Sequence, residues 1–206
     1  MRKIADSTVR RLSLYLRFLE DFAQQGMATV SSEELAARGG TTSAQVRKDL
    51  SFFGSFGKRG LGYAVPELLT RLHEILGLGR TYRVAMVGAG KIGGALVQYK
   101  GFRQRGFDIV LIYDRDPKKI GTAWNGVTVR DVTQLESDLT AEPVDIAVLV
   151  TPAESAQSVA ERLANLGVRA ILNFAPVQLT LPEHVVVKNV NLALDLEALS
   201  FALTNR

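Results

Sequence analysis

Apolar residues recur at helical spacing near the start of the chain. Leu12, Leu16 and Leu19 fall on one face of a stretch that predicts a first helix over residues 7–25. Gly26 follows directly and ends the periodic run. The chain is therefore expected to begin with an amphipathic helix that buries one face.

Three further helices and a glycine-rich turn are predicted next. The helices over 31–38 and 42–53 each begin with the residues of a capping box, in which two side chains satisfy backbone N–H groups reciprocally. The glycines of segment 54–63 permit tight turns between short strands, and a proline opens the helix over 66–76. This order predicts a winged helix-turn-helix domain over residues 1–79.

From residue 81 the hydrophobic period changes, and short apolar runs alternate with helical stretches. The pattern predicts a parallel sheet covered on both faces, as in a Rossmann-like domain over residues 80–188. The fold class is therefore α/β. The predicted strands are 82–87, 107–113, 144–150, 168–172 and 185–187, and the clearest helices are 92–99 and 153–166.

The last stretch of the sequence is apolar and helical. Residues 192–203 carry few charges, and a finished Rossmann domain leaves them no evident partner. We therefore separate residues 189–206 from the nucleotide-binding fold as a C-terminal helix.

Composition narrows the function classes. Of the 206 residues, 47% are hydrophobic and 22% charged, which suits a globular protein with a buried core. No apolar run reaches the roughly 18 residues of a membrane span, and no apolar signal stretch follows Met1. The absence of cysteine excludes thiolate chemistry, and His73 and His184 are too distant in sequence to indicate a metal site. We expect a cytoplasmic protein with no membrane and no metal partner.

The charge is unevenly distributed. The net charge is +4, and residues 1–80 hold 12 Lys and Arg against 8 Asp and Glu, whereas the remainder has equal numbers of each. All of the excess positive charge therefore lies in the first 80 residues. This bias is typical of a module that binds a polyanion.

A GxGxxG motif follows the first predicted strand of the second domain. Gly88 permits the tight turn, Gly90 lets the backbone approach a pyrophosphate, and Gly93 allows close helix packing. Asp114 ends the next strand and can accept hydrogen bonds from the adenosine ribose, while its charge disfavours a 2′-phosphate. Arg115 follows directly, and its positive charge reduces the expected preference for NAD(H) over NADP(H). The order of strand, turn, helix and acid predicts binding of NAD(H).

The same domain shows neither a substrate domain nor an acid–base residue of the kind that a dehydrogenase needs. No stretch remains for a substrate domain, and His73 and His184 are better interpreted as surface or packing residues than as acid–base catalysts. We assign no catalytic residue, and NAD(H) is expected to act as a regulatory ligand.

The third predicted helix carries a polar face suited to DNA. Arg can pair with guanine edges in the major groove, and Lys can contact guanine or phosphate. Asp49 does not suit a phosphate-binding surface but can orient a neighbouring Arg. The glycine-rich turn adds two basic residues where a wing would meet the backbone or the minor groove. The predicted DNA-binding residues are Gln45, Arg47, Lys48, Ser51, Lys58 and Arg59.

Together these segments resemble Rex, a family of bacterial redox-sensing transcriptional repressors, over nearly the whole chain. The resemblance implies a homodimer that holds double-stranded operator DNA without NADH and releases it when NADH binds. It also implies a domain-swapped C-terminal helix that lies against the DNA-binding domain of the other protomer. The segments that carry the resemblance are 45–54, 60–63, 88–93, 99–102, 173–176 and 199–201.

By the same resemblance, the nucleotide site extends beyond the glycine motif. One group of residues would hold the adenosine and pyrophosphate half, and a second group would lie near the nicotinamide. The first group is Gly88, Ala89, Gly90, Lys91, Ile92, Gly93, Asp114 and Arg115, and the second is Tyr99, Thr151, Pro152, Asn173, Phe174 and Pro176.

One position departs from the family. Rex usually has Asp in the segment 189–192, where this chain has Asn191. That Asp is implied to meet Arg17 or Tyr99, depending on the bound state, so an uncharged Asn191 predicts a weaker switch. Asp195 lies one helical turn further on and is an alternative source of the charge. Asn191 can also serve simply as a helix N-cap.

Two other functions stay open at this level. A small NAD-dependent oxidoreductase with a basic accessory domain would show turnover with NADH and simple carbonyl substrates. A winged-helix regulator could instead sense another adenine nucleotide, such as coenzyme A. Asp114 argues for a ribose but does not demand a nicotinamide.

Overall fold

The computed structural model describes residues 4–57 and 61–205. The chain divides into two units, Met1–Arg80 (unit 1) and Thr81–Arg206 (unit 2). Each unit has an apolar core of its own. Separate cores are what two independently folding domains require.

Unit 1 combines helices with a short antiparallel sheet. Its strands pair Thr29 with Ala64 and Val30 with Tyr63. The elements are α1 (Asp6–Gln24), β1 (Thr29–Val30), α2 (Ser32–Gly39), α3 (Ser43–Ser51), β2 (Tyr63–Ala64) and α4 (Val65–Ile75).

The core of unit 1 is built around α1, because the apolar residues of this helix share one face. Leu12, Tyr15 and Leu19 are completely buried. They pack in one cluster with buried residues of the other helices, namely Leu35, Ala36, Val46, Leu50, Leu68 and Leu72. The predicted amphipathic helix is therefore confirmed, with bounds one residue earlier at each end.

The two predicted capping boxes have different outcomes. At α2 the box is confirmed, since Ser31 accepts from the Glu34 N–H and the Glu34 side chain accepts from the Ser31 N–H. At α3, Thr42 accepts from the Gln45 N–H, but the Gln45 side chain does not return to Thr42. It donates instead to Asp49 at 2.8 Å, so the prediction of a second reciprocal box is wrong.

The glycine-rich segment after α3 also differs from the predicted hairpin. Residues 54–57 and 61–62 contain no strand, and β2 pairs with β1 instead. Gly62 makes this pairing possible, because at φ +75° it passes against the carbonyl of Val30, where any Cβ would clash. Lys58 and Arg59, which we predicted to form the tip of a wing, lie outside the described residues.

Unit 2 is built on strands that form a single twisted sheet among the described residues. The strands are β3 (Tyr82–Val87), β4 (Phe107–Asp114), β5 (Ala123–Trp124), β6 (Val127–Asp131), β7 (Ile146–Leu149), β8 (Ala170–Asn173) and β9 (Val186–Asn189). Their order is β5-β6-β4-β3-β7-β8-β9. Every pair except β5–β6 is parallel. The Rossmann-like arrangement is therefore confirmed, with β3 and β7 flanking the point where the strand order reverses.

Helices cover one face of this sheet more fully than the other. The helices of unit 2 are α5 (Lys91–Gln98), α6 (Lys100–Gln104), α7 (Leu135–Ala141), α8 (Ala153–Asn165) and α9 (Leu192–Thr204). Residues of α7 and α8 form the core on the first face, and α5 packs on the second. An apolar cavity of about 300 Å³ remains on the second face, lined by Val84, Ile146, Val148 and Leu172 among others. The prediction of full cover is wrong there, because β8 connects to β9 without a helix.

The sequence pattern does not predict β5, β6 or α7. The first two form a hairpin at the sheet edge, where alternation with polar residues weakens the apolar signal. Asn125 and Gly126 both have positive φ in the turn between them, which is the geometry that favours Asn-Gly in two-residue hairpins.

The C-terminal helix α9 has the bounds predicted within one residue, and none of its residues is buried. Its large apolar side chains are 60–76% exposed. Among the described residues, no helix combines the length and apolar character needed to cross a membrane.

Candidate functional site

A cavity of about 760 Å³ opens in unit 2 where β3, β4 and β7 end. This position is the crevice at which parallel α/β sheets bind ligands, because side chains and backbone N–H groups from several strand ends converge there. Its lining includes nine predicted residues: Gly88, Gly90, Ile92, Asp114, Arg115, Thr151, Pro152, Phe174 and Pro176.

The three glycines of the motif are required for different reasons. Gly88 has φ +109°, and a Cβ on it would lie 2.5 Å from the carbonyl oxygen of Val150. A Cβ on Gly93 would clash with the carbonyl of Gly88, so this glycine permits close packing of α5. Gly90 has nothing within 4 Å of its added Cβ and lines the cavity. The chain itself does not need glycine at this position, but a ligand lying against the backbone would.

Two helices begin at this cavity without a side-chain cap. α5 starts after Gly90 and α8 after Pro152, and neither residue caps its helix through a side chain. The first backbone N–H groups of each helix therefore remain available, and the positive ends of both dipoles lie near the cavity. Such an arrangement favours anionic or electron-rich groups such as phosphates.

Asp114 is held firmly at the end of β4. It is 9% exposed, and its carboxylate accepts from the N–H groups of Ala89 at 2.6 Å and Asp116 at 2.8 Å. Lys119 Nζ donates to the same carboxylate at 3.2 Å. Burial raises the pKa of Asp114, but these hydrogen bonds outweigh it and lower the pKa below its ordinary value. The site thus presents an ionised, oriented acceptor.

Sequence reasoning missed several residues that line the same cavity. Asp116, Pro117 and Lys119 come from the loop after β4, and Ser155 comes from the first turn of α8. Both Asp116 and Lys119 lie within five residues of Asp114. Their charge and their closeness to the strand end were the sequence signal for a loop that folds back over the site. Ser155 gave no such signal, because it lies within a predicted helix and only the fold brings the first turn of that helix to the cavity.

The far side of the cavity is formed by Thr151, Phe174 and Pro176. Thr151 Oγ1 is buried and has no hydrogen-bond partner within residues 4–57 and 61–205. A buried hydroxyl without a partner is unfavourable, and a ligand with a donor or acceptor would satisfy it. The residues present therefore fit a dinucleotide at both ends of the cavity.

Other predicted residues of this site do not line the cavity. The N–H of Ala89 supports Asp114, and Lys91 is exposed at the start of α5. Asn173 is fully buried, and its Oδ1 accepts from the Ala175 N–H, which shapes the loop after β8. Gly93 acts in packing, as described above.

Tyr99 lies away from this cavity. It follows α5 at the opposite end from the glycine motif and is 58% exposed. Its ring packs edge-on against Phe102 at 5.1 Å, and it lines a separate cavity with Lys100, Arg103 and Asn125. Within this chain, Tyr99 and the glycine motif are not brought together.

In unit 1, helix α3 is tied to α1 through a buried carboxylate. Asp49 is 0% exposed and accepts two hydrogen bonds from Arg11, at 2.6 and 2.8 Å. Tyr15 donates to it at 3.0 Å and Gln45 at 2.8 Å. Burial raises the pKa of Asp49, but its donors, Arg11 foremost, lower it further than burial raises it. Burial together with Asp49 raises the pKa of Tyr15 to about 12.

This network divides the predicted DNA-binding residues of α3. The Gln45 side chain is directed to Asp49, whereas Arg47, Lys48 and Ser51 are exposed. Arg47 donates to Ser32 at 2.8 Å at the start of α2, and its side chain is 55% exposed. The exposed polar face of α3 therefore consists of Arg47, Lys48 and Ser51.

No cluster of potential metal ligands occurs in the part of the chain that the structure describes. His73 lies 3.8 Å from Glu20, and His184 is exposed. For a ligand, unit 2 offers backbone N–H groups at two helix starts and the carboxylate of Asp114.

Comparison with known proteins gives concordant results for both units. Residues 3–51 match the family described as "Putative DNA-binding protein N-terminus", and residues 80–177 match "CoA binding domain". The chain is 48% identical over 199 residues to the redox-sensing transcriptional repressor Rex of Carboxydothermus hydrogenoformans, covering 97% of this chain and 96% of that protein.

Two solved structures of a Rex-family repressor are also similar. The crystal structure of RSP in complex with beta-NAD+ and operator DNA has a TM-score of 0.93 at 37% identity, covering 98% of this chain and 94% of that one. RSP in complex with beta-NADH has a TM-score of 0.89 at 36% identity, with coverage of 98% and 95%.

Proposed function

This chain belongs to the Rex family of redox-sensing transcriptional repressors, and on that premise we propose that it binds operator DNA as a homodimer and releases it when NADH binds. Its relatives carry the name of a repressor rather than of an enzyme. NAD(H) is accordingly a regulatory ligand of this chain, and no reaction is assigned to the cavity.

The observation that carries this proposal is the open space at Gly90. Gly88 and Gly93 have reasons within the chain to be glycine, but Gly90 has none, since nothing lies within 4 Å of its added Cβ. A pyrophosphate against this backbone, at the start of α5, would supply the reason. Asp114 would then accept from the adenosine ribose hydroxyls.

The other end of the cavity must distinguish the two oxidation states, because NADH and NAD+ share the adenosine half. The nicotinamide ring is planar and cationic when oxidised and neutral when reduced. The uncapped start of α8, beside Thr151 and Pro152, places positive dipole density there. This electrostatic environment disfavours the cationic ring, so we expect the site to prefer NADH.

We assign DNA binding to unit 1, which carries the excess positive charge of the chain. Arg47, Lys48 and Ser51 form the exposed polar face of α3 and would enter the major groove. Lys58 and Arg59 would contact the backbone or minor groove. Gln45, which we also predicted to bind DNA, donates to Asp49 and would help to orient α3.

Homodimer formation is supported by α9. A helix with large apolar side chains on several sides is expected to be buried, yet every residue of α9 is exposed in the single chain. A second copy would cover it, by the swap that the family resemblance implies. The switch role of Arg17, Tyr99, Asn191 and Asp195 stays a prediction. Asn191 accepts from the Ala193 N–H at 3.1 Å and so also caps α9.

We place the protein in the cytoplasm, where bacterial operator DNA is found. The proposal needs a DNA ligand, which can be selected from a random duplex library by the nucleotide-free protein. Fluorescence anisotropy of the selected duplex is then followed while NADH, NAD+, NADPH or coenzyme A is added.

We expect NADH to release the DNA at the lowest concentration, with NAD+ much weaker. In Asp114→Ala, NADH binding should weaken and the difference between NADH and NADPH should narrow, because both the ribose acceptor and the repelling charge are removed. The match to a CoA binding domain makes coenzyme A the specific competitor hypothesis. Release by coenzyme A but not by NADH would replace the proposed function, and steady oxidation of NADH with simple carbonyl compounds would favour an enzyme.

A further inference from the structure

The loop that borders the nucleotide cavity is joined directly to the start of α9. Asn173 ends β8 and lies between two strands, paired with Leu149 of β7 and Asn189 of β9. The chain after Asn173 forms the loop 174–177, whose Phe174 and Pro176 line the cavity. The chain after Asn189 reaches α9 within three residues. Asn173 therefore stands between the cavity and the root of the helix.

The side-chain amide of Asn173 holds both sides of this junction. It is fully buried, and its Nδ2 donates to Val177 O at 2.9 Å, to Ala175 O at 3.3 Å and to Asn189 Oδ1 at 2.9 Å. An amide nitrogen has two N–H groups, so three acceptors must share them. The same amide nitrogen therefore bonds the loop on one side and Asn189 on the other, so a displacement of Asn173 with the loop changes its bond to Asn189.

A backbone bond reinforces the same junction. The N–H of Val190 donates to the carbonyl of Asn173 at 2.8 Å, and the N–H of Phe174 donates to the carbonyl of Leu149 at 2.8 Å. The loop is thus held on one side by the strand that leads to Thr151 and on the other by the segment that leads into α9.

Within one chain, α9 is joined to the sheet of unit 2 through this root. No residue of the helix is buried in the single chain, so contacts within the described unit do not fix its direction. A helix of 13 residues is about 20 Å long, so a rotation of about 10° at its root moves its far end by roughly 3 Å. Small changes at Asn189 are therefore enlarged along α9.

We propose that Asn189 is a positioning residue of the NADH response, which through its hydrogen bond to Asn173 transmits the state of the loop 174–177 to α9. This inference rests on the proposed function and adds the route by which the nucleotide reaches the C-terminal helix. Asn189 is exposed and does not line the cavity, so its role is in transmission and not in nucleotide affinity.

The test uses the full-length protein and measures hydrogen–deuterium exchange in residues 190–204 with and without saturating NADH. Asn189→Ala removes the acceptor for Asn173 Nδ2, whereas Asn189→Asp keeps one. Asn165→Ala is the matched control, because Asn165 is an exposed asparagine at the end of α8 in the same unit. NADH binding is titrated in parallel by the fluorescence of the nucleotide.

We expect NADH to change exchange in residues 190–204 in the wild type, in Asn189→Asp and in Asn165→Ala, and most of this change to disappear in Asn189→Ala. The NADH dissociation constant should stay within about threefold throughout, a difference below 1 kcal/mol. An undiminished change in Asn189→Ala would overturn the inference, as would a wild type in which saturating NADH leaves residues 190–204 unaltered.

The same samples separate this inference from the proposed function. If NADH alters α9 in the wild type but the protein keeps hold of its operator, the proposed function fails and the transmission route stands. If the operator is released equally by NADH in wild type and Asn189→Ala, with equal exchange changes, the route fails and the proposed function stands.

Discussion

The two units differ in how their polar residues are fixed. In unit 2, the residues of the glycine motif and Asp114 are placed by bonds within a single strand–turn–helix segment and the adjacent strand end. In unit 1, the polar face of α3 is divided by Asp49, whose partner Arg11 lies 38 residues away on α1. One site is defined locally, and the other depends on which side of a helix is held against a distant element.

A functional residue is predictable from the sequence pattern when the backbone around it fixes its position. A phosphate-binding turn is constrained by backbone geometry, which glycine spacing reports directly. A recognition helix has polar residues on several sides, and tertiary contacts decide which of them meet the ligand. Asp49 and Arg47 are two residues apart, yet one is buried at an ion pair and the other is largely exposed.

The largest effect is expected from removing the buried charge of unit 1. Asp49→Asn leaves Arg11 facing a neutral amide, and breaking a buried ion pair in this way typically destabilises by about 3 kcal/mol. Circular dichroism in urea should show unit 1 unfolding earlier, while fluorescence of Trp124, the one tryptophan of the sequence, reports unit 2 unchanged. Equal stability of unit 1 in this variant would mean that Asp49 is not its anchor.

In unit 2, a substitution at Gly90 should reduce NADH affinity without reducing the stability of the fold. Gly90→Val places a side chain in the open space of the cavity, so NADH affinity should fall about 100-fold, or roughly 2.7 kcal/mol, without loss of stability. Gly79→Val is the matched control, because a Cβ there also meets nothing within 4 Å and Gly79 is no part of the cavity lining. Wild-type NADH affinity in Gly90→Val would remove the glycine motif from the site.

A substitution on the exposed side of α3 should reduce DNA affinity and leave stability nearly unchanged, whereas one on the buried side reduces stability. Arg47→Ala should cost about 1–3 kcal/mol of operator affinity through a lost base contact. Its exposed pair with Glu33 contributes little to stability, because both side chains are solvated. Arg71→Ala on α4 is the control, since this arginine has the same 55% exposure. If both variants bind the selected duplex like wild type, α3 is not the recognition helix.

The smallest expected effect is a loss of unit 1 stability at acidic pH. The pKa of Asp49 is lowered from its ordinary value of 3.8, so its contribution to the stability of unit 1 is fully present above pH 3.8. It is lost as the pH falls through the lowered value. In urea, the free energy of unfolding of the wild type should therefore fall more steeply below pH 3.8 than that of Asp49→Asn. Parallel curves for the two proteins would show that the carboxylate is not linked to folding.

Much of the fold follows from the sequence because its strong signals are local. The strand 82–87 and the helices α8 and α9 are predicted to within one residue, since the strand is a short apolar run that ends at glycines and the helices have apolar residues at helical spacing. The hairpin of β5 and β6 is missed because half of its side chains face solvent at a sheet edge. Asp49 is noted as an unusual acid, but its burial needs Arg11 and Tyr15 from another helix.

The nucleotide site shows the same limit at its edges. Gly90 and Asp114 are found from spacing, whereas Lys119 and Ser155 enter only when the loop after β4 and the start of α8 fold over the strand ends. Tyr99 is drawn into the site by family resemblance alone. In this chain it lies at the other end of α5 from the glycine motif, so its part in sensing stays a prediction.

In the proposed function, the nucleotide cavity of unit 2 controls DNA binding by unit 1. The most direct test is the affinity of the selected duplex with and without saturating NADH, measured in wild type and Gly90→Val. We predict that NADH weakens DNA binding at least about tenfold in the wild type, or 1.4 kcal/mol, and has no effect in Gly90→Val. An equal NADH effect in both proteins, or none in the wild type, would contradict the account.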